Sequence, residues 1–258
     1  MENKTKAFAR LLTIMDELRE QCPWDKKQTY ESLRYLTIEE MYELSDAILE
    51  RDIDEIKKEL GDLLLHIVFY SRIASETNDF DISDVINNVC DKLVHRHPHI
   101  YGDVEVVDEI EVKKNWEKLK LKEGKESVLD GVPKSLPAIV KSFRIQEKVR
   151  GIGFDWDNKS QVWDKILEEL EELKVEAEKG DSDRMESEFG DVLFALTNYS
   201  RFINVNPEDA LERTNKRFIK RFQIMEKKLK KEEKDLSEMN LEEMEKYWQW
   251  AKNEYLNT

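Results

Sequence analysis

At 258 residues, with 40% apolar and 38% charged side chains, the chain is long enough to bury a core. Its net charge of -15 excludes the basic field that a non-specific nucleic-acid or anionic-membrane binder needs. Eight Gly and five Pro disfavour a turn-rich β fold, and two cysteines outside any CxxC pattern, Cys22 and Cys90, supply no disulfide or zinc framework.

The first helical pattern covers residues 4–21, with Phe8, Leu11, Leu12, Met15 and Leu18 on one side. It stops at Cys22-Pro23-Trp24-Asp25, because the residue before a proline avoids the α region. A second helix is predicted over 30–50 and a third over 54–77. In the third, the run from Leu63 to Tyr70 is apolar around nearly the whole circumference, which predicts a buried central helix. A fourth starts at a cap on Asp81 or Ser83 and runs to about His97, where Pro98 stops it. Residues 101–107 read as loop or a short extended piece, and 109–122, around Asn115-Trp116-Glu117, as a fifth helix.

Polar residues 122–135, with two glycines and a proline, read as a linker. This divides the chain into modules 1–121 and 136–258. After Pro137 the pattern restarts with a helix to about Arg150 and the turn Gly151-Ile152-Gly153-Phe154-Asp155-Trp156. Further helices are predicted at 159–179, 183–203, 207–231 and 240–255. No apolar run approaches the roughly 20 residues of a membrane span, and no signal-peptide core precedes the first helix. The expectation is a soluble cytoplasmic protein.

The chemistry is concentrated in two acidic stretches. Glu39-Glu40-Met41-Tyr42-Glu43 is followed by Glu59-Leu60-Gly61-Asp62. Glu40 with Glu43, and Glu59 with Asp62, are i, i+3 pairs, so each pair shares a helix face. Two such helices side by side would aim four carboxylates at one point, a cage for a hard cation such as Mg²⁺. Glu168-Glu169-Leu170-Glu171-Glu172 and Glu188-Phe189-Gly190-Asp191 repeat the pattern. Sliding 39–72 onto 168–201 without a gap aligns thirteen identities, including Glu39, Glu40, Glu43, Glu59, Gly61, Asp62, Tyr70 and Arg72. The chain therefore reads as two copies of one all-α module.

An isolated EExxE is ordinarily solvated helix surface. Here Glu40 and Glu43 intrude on an apolar face, and Glu59 shares a stripe with Leu63, Ile67 and Tyr70, where an uncompensated charge is costly. Gly61 and Gly190 cost about 0.5–1 kcal/mol mid-helix, which predicts close approach of a helix or ligand. Cationic partners for a phosphate chain are Lys92 and Arg96, and Arg217 and Arg221, each pair at i, i+4. His95, His97 and His99 have no acidic or Cys partner at zinc spacing and read as a structural turn. Trp24 and Trp156 are expected to be buried packing. A carboxylate-bridged di-iron enzyme would need ExxH pairs, which are absent. A non-catalytic, metal-stabilised helical interaction or regulatory protein is the alternative.

The paired EExxE and ExxD sets, the Cys22-Pro23-Trp24-Asp25 turn, Arg96-His97-Pro98-His99, Val128-Leu129-Asp130-Gly131-Val132-Pro133 and Gly153-Phe154-Asp155-Trp156 resemble the two-domain members of the MazG family of nucleoside triphosphate pyrophosphohydrolases. The resemblance implies a homodimer of tandem helical-bundle modules. It also implies Mg²⁺-dependent hydrolysis, with Mn²⁺ substituting, of NTPs and dNTPs to monophosphate and pyrophosphate. By the family motif, the metal ligands map to Glu40, Glu43, Glu59 and Asp62, and to Glu169, Glu172, Glu188 and Asp191. Glu39 and Glu168 would orient or deprotonate the attacking water. The C-terminal module is implied to be the better catalyst, with Arg217, Arg221 and Trp248 binding nucleotide, although the family more often has Lys at 217. Asn198, which aligns with Phe69, is a further nucleotide contact on this reading. No nucleic-acid polymer or membrane partner is expected, and any protein regulator is left open.

Overall fold

The computed structural model describes residues 1–108, 111–112, 115–116 and 127–256, which contain helices and no strand. They form two compact units, Met1–Val112 and Lys113–Thr258. Within the first, α1 (Glu2–Gln21), α2 (Tyr30–Glu50), α3 (Ile53–Glu76), α4 (Ile82–Arg96) and the short α5 (Pro98–Tyr101) follow in order. The second contains α6 (Ala138–Gly151), α7 (Lys159–Lys179), α8 (Ser182–Phe202), α9 (Pro207–Lys231) and α10 (Leu241–Leu256). Single 3-10 turns lie at Asp25–Lys27 and Leu236–Glu238. The fifth predicted helix lies largely outside the described residues, as do positions 122–126 of the predicted linker.

Helix starts are set by side chains that accept from the free amides of the first turn. Thr29 with Ser32, Asp81 with Asp84, and Asn158 with Gln161 form reciprocal capping boxes. Asp52 and Asp181 cap α3 and α8 at matching positions of the two copies. Each cap follows a tight helix–helix turn, so α2–α3 and α7–α8 are antiparallel hairpins. The turns differ in one respect. The left-handed residue ending α7 is Gly180, at φ 74°, whereas Arg51 ends α2 at φ 59°.

The first core gathers Met15, Leu33, Val68 and Phe69, with Phe8, Leu11, Leu12, Leu36 and Leu65 packed around them. Each such fully buried side chain contributes roughly 1.5–3 kcal/mol. In the second unit, Val162 and Ile166 of α7 and Val192 and Ala195 of α8 are buried. Met225, Leu229 and Ala251 form a separate cluster between α9 and α10. Buried charges pin the pieces. Arg19 donates to both carboxylate oxygens of Glu76, at 2.7 and 3.0 Å, and to the carbonyls of Asp25 and Gln28, tying α1, the 3-10 turn and α3 together. Arg72 reaches Asp16 at 2.7 Å. Its counterpart Arg201 reaches Asp155 at 2.6 Å and Asn198 Oδ1 at 2.6 and 3.1 Å. Lys148 Nζ donates to the carbonyls of Val128 and Asp130, which fastens that segment to α6.

Two expectations are corrected and a third, on the glycines, is narrowed. The Leu63–Tyr70 run is not buried all round: His66, Val68 and Phe69 face the core, while Leu64 and Ile67 are exposed. Along with Leu60, these two form a second apolar stripe that the module does not cover. Trp24 and Trp156 are 56% and 44% exposed, because both stand on turns outside the helix faces that form the cores. A Cβ on Gly61 or Gly190 would meet nothing within 4 Å, so packing inside the module does not account for either glycine.

Two outcomes follow for stability. Gly180→Ala should lower the stability of its unit by about 1 kcal/mol, because a Cβ is strained in the left-handed region. Arg51→Gly should not destabilise; urea melts of the two variants check both directions. Glu232 is pulled down to about 2 by its bonds to Lys228 and Tyr247. The stabilisation it contributes is complete above its ordinary value of 4.5 and is lost as the pH falls from there toward 2. The α9–α10 pair should therefore loosen over that window, and Glu232→Gln should flatten the dependence in Trp fluorescence.

Candidate metal and nucleotide site

The α2–α3 hairpin is registered by Thr37 and Tyr70, whose hydroxyls lie 2.7 Å apart, and by Tyr30 stacked on Tyr70 at 5.8 Å. This register places Glu40 and Glu43 opposite Glu59. One oxygen from each lies within 4.8 Å of the others, and the same holds for Glu169, Glu172 and Glu188 between α7 and α8. Asp62 and Asp191 fall outside these groups of three, although the negative charge of Asp62 is felt at Glu40. The predicted four-carboxylate sets are therefore three converging glutamates each, with the aspartate one helical turn along.

The two sets differ in which member is buried. In the first it is Glu59, with 0% exposure, and in the second it is Glu169, with 7%. Each buried glutamate holds a lysine. Lys58 Nζ donates to Glu59 Oε1 at 2.8 Å and to Glu55 at 2.8 Å. Lys165 Nζ lies 2.6 Å from Glu169 and 2.9 Å from Glu168. In the gap-free alignment of the copies, Ser187 stands at the position of Lys58, and Leu36 at that of Lys165. Lysine thus comes from the second helix of one hairpin and the first helix of the other.

Crowded carboxylates shift one another's titration. Glu40 is raised to about 7 by burial, by its hydrogen bond to Glu59, and by the charges of Asp62, Glu43 and Glu59. Glu59 is lowered, chiefly by Lys58. Glu172 is raised by burial and by Glu169 and Glu188. Glu59 Oε2 is buried with no hydrogen-bond partner. A buried, unpaired carboxylate oxygen facing two further carboxylates is an arrangement that an oxygen-preferring cation completes.

The basic candidates sit on other elements. Arg217 is exposed on α9 and donates to Thr214 at 3.1 Å. The Arg221 guanidinium lies 5.0 Å over the Tyr255 ring, and its buried Nε has no hydrogen-bond partner. Trp248 packs against Phe218 at 4.9 Å, with the Lys252 ammonium 5.7 Å from the ring centroid. The structure thus gathers Arg217, Arg221 and Trp248 along the α9–α10 pair. Among the described residues that pair packs chiefly on α6. Asn198 spends its side-chain oxygen on Arg201. Lys92 is exposed on α4, and Arg96 is half-buried at its end. Glu39 and Glu168 are exposed beside their sets.

Sequence reasoning missed Lys58 and Lys165. The second was visible as Lys165-x-x-x-Glu169, an i, i+4 pair of opposite charge.

Residues 28–101 and 158–224 match the MazG nucleotide pyrophosphohydrolase domain. These two segments contain both glutamate hairpins. The chain is 44% identical over 250 residues to the nucleoside triphosphate pyrophosphohydrolase/pyrophosphatase MazG of Thermotoga maritima, covering 95% of each protein. It is 39% identical over 257 residues to the nucleoside triphosphate pyrophosphohydrolase of Escherichia coli (strain K12), covering 96% of this chain and 98% of that one. It is also 44% identical over 251 residues to the protein YabN of Bacillus subtilis (strain 168), covering 95% of this chain and 51% of YabN. With a domain match in both hairpins and full-length relatives at this identity, the chain belongs to the MazG nucleotide pyrophosphohydrolase family.

Proposed function

We propose that the chain hydrolyses nucleoside triphosphates to the monophosphate and pyrophosphate, as a cytoplasmic enzyme of nucleotide-pool house-cleaning. The observation that carries this reading is the pair of three-glutamate clusters, one in each family-matched segment, with the unpartnered Glu59 oxygen as its sharpest point. Glu169, Glu172, Glu188 and Asp191 would hold the working Mg²⁺, or Mn²⁺ in its place. Glu40, Glu43, Glu59 and Asp62 would hold its N-terminal counterpart. A divalent cation so held supplies an acidified water and offsets charge on the phosphate oxygens. Glu168, and Glu39 in the first copy, stand next to these ligands and would orient the attacking water and accept its proton. Arg217 and Arg221 would neutralise the triphosphate, and Trp248 would contact the nucleoside. Lys92 and Arg96 are the corresponding cations of the first module.

The modules are taken as 1–121 and 136–258. Homodimerisation is part of the proposal. Leu60, Leu64 and Ile67 on α3 are matched at the same positions by Phe189, Leu193 and Leu196 on α8, and all six are exposed. A second copy covering this stripe would bury apolar surface that the module leaves wet. It would also give the carboxylate hairpin a neighbour beyond its own helices. The net charge of -15 supports a metal-chelated nucleotide rather than a nucleic-acid polymer or a membrane surface as partner. Among the described residues no helix is long and apolar enough to cross a membrane.

Glu172→Gln and Glu188→Gln should each lower pyrophosphate release from an NTP panel by at least roughly 100-fold, on the order of 2.7 kcal/mol in the barrier, with unchanged helical circular dichroism. Full activity in either would sink the C-terminal assignment. A chain with no pyrophosphatase activity on any nucleotide, and no thermal shift with ATP plus Mg²⁺, would favour the non-catalytic scaffold. For the dimer, Leu193→Glu should shift sedimentation toward monomer; an unchanged sedimentation coefficient argues against this stripe.

A further inference from the structure

Each hairpin sets an ammonium against the buried member of its glutamate set, and the two ammoniums come from unrelated positions. Lys58 immediately precedes Glu59 on α3, and Lys165 stands four residues before Glu169 on α7. Where one module has its lysine, the other has Ser187 or Leu36. The shared feature is the contact, not the sequence position. A buried carboxylate without a counter-charge is strongly destabilising, and in each module a flexible lysine stem supplies that charge.

We propose that Lys58 is a resident cation of the N-terminal glutamate set, held on Glu59 until a divalent ion displaces it. This rests on the reading of that set as a metal site. The geometry that supports it is the division of labour at Glu59. Oε1 accepts from Lys58, while Oε2 is buried without a partner and Glu40 and Glu43 converge on the same group. The ammonium therefore occupies one edge of the carboxylate cluster and leaves the other open. A metal ion entering the cluster meets a positive charge already bonded to one of its ligands. The lysine head is otherwise exposed enough to leave, since its side chain is 55% accessible, and Glu55 at 2.8 Å offers it an alternative partner on the same helix. The consequence is a site whose metal affinity is set by competition with its own side chain, and which keeps its glutamates gathered when metal is scarce.

The test is Mn²⁺ binding, followed by electron paramagnetic resonance, to the full chain carrying Glu172→Gln and Glu188→Gln to silence the C-terminal set. Adding Lys58→Met should tighten Mn²⁺ binding by about tenfold, since a unit charge within bonding distance of the site is removed. Lys57→Met is the control, because Lys57 bonds Asp54 at 3.2 Å instead; it should change the Kd less than twofold. Lys58→Arg keeps the charge and should also stay within twofold. Thermal melts give a second readout: the metal-free Lys58→Met protein should melt lower, and Mn²⁺ should raise its Tm by more than in the parent. Unchanged or weaker Mn²⁺ binding in Lys58→Met, or an equal gain in Lys57→Met, overturns the proposal while leaving the metal site standing. Mn²⁺ binding to none of the proteins overturns the metal reading and the proposal with it.

Discussion

Two antiparallel helices that bury a carboxylate between them carry an electrostatic debt, and much of the local structure answers it. Taking a carboxylate out of water is affordable only with a counter-charge or a full set of hydrogen bonds. Glu59 and Glu169 are buried in the seams of their hairpins. The hairpins must therefore be held in register by other means, since the carboxylates push them apart. In the first module the Thr37–Tyr70 hydrogen bond and the Tyr30–Tyr70 stack do this. In the second, buried Ile166 takes the place of Thr37, and Trp163 packs on Tyr199 at 5.1 Å. One register is thus held by polar contacts and the other by apolar ones.

The arginine identities of the repeat take their meaning from the same requirement. Arg72 and Arg201 end the central helices of the two modules. Each is bonded to an acid from an earlier segment, Asp16 on α1 and Asp155 on the turn after α6. They anchor the end of each central helix that lies away from the glutamates. The site end is left to the lysines, whose bonds can be exchanged. A rigid far end with an exchangeable near end suits a ligand-binding hairpin, because the glutamates can adjust by fractions of an ångström without disturbing the core.

Much of this was legible in the sequence. Apolar periodicity and prolines located nearly all the described helices to within two residues, and a cap at Asp81 or Ser83 marked the start of α4. The repeat shift paired the glutamates correctly, since hairpin geometry depends on spacing alone. What covers an apolar face was not legible. Periodicity identifies the stripe containing Leu64 and Ile67 but not its neighbour, so burial was expected where the module leaves the stripe open. Trp24 and Trp156 were misread for a related reason: a large apolar side chain on a turn has no face to assign it to. The Lys58–Glu59 contact was hidden because adjacent residues on a helix point about 100° apart, and only a long, flexible side chain closes that angle.

Gly61 and Gly190 have a wider consequence. A duplicated module is a repeated trial of the same position, and the two copies have drifted apart at most sites, including the lysine that guards the buried acid. A glycine inside a helix is what drift should remove first, because nearly any other residue strengthens the helix. Neither glycine is packed against anything, so the module's own interior gives no reason to retain it. The open backbone beside Asp62 and Asp191 leaves room for a ligand or a second chain to approach there. An unpacked mid-helix glycine kept in both copies is a more specific mark than the glutamates beside it, since acidic side chains are tolerated on any wet surface and mid-helix glycines are not.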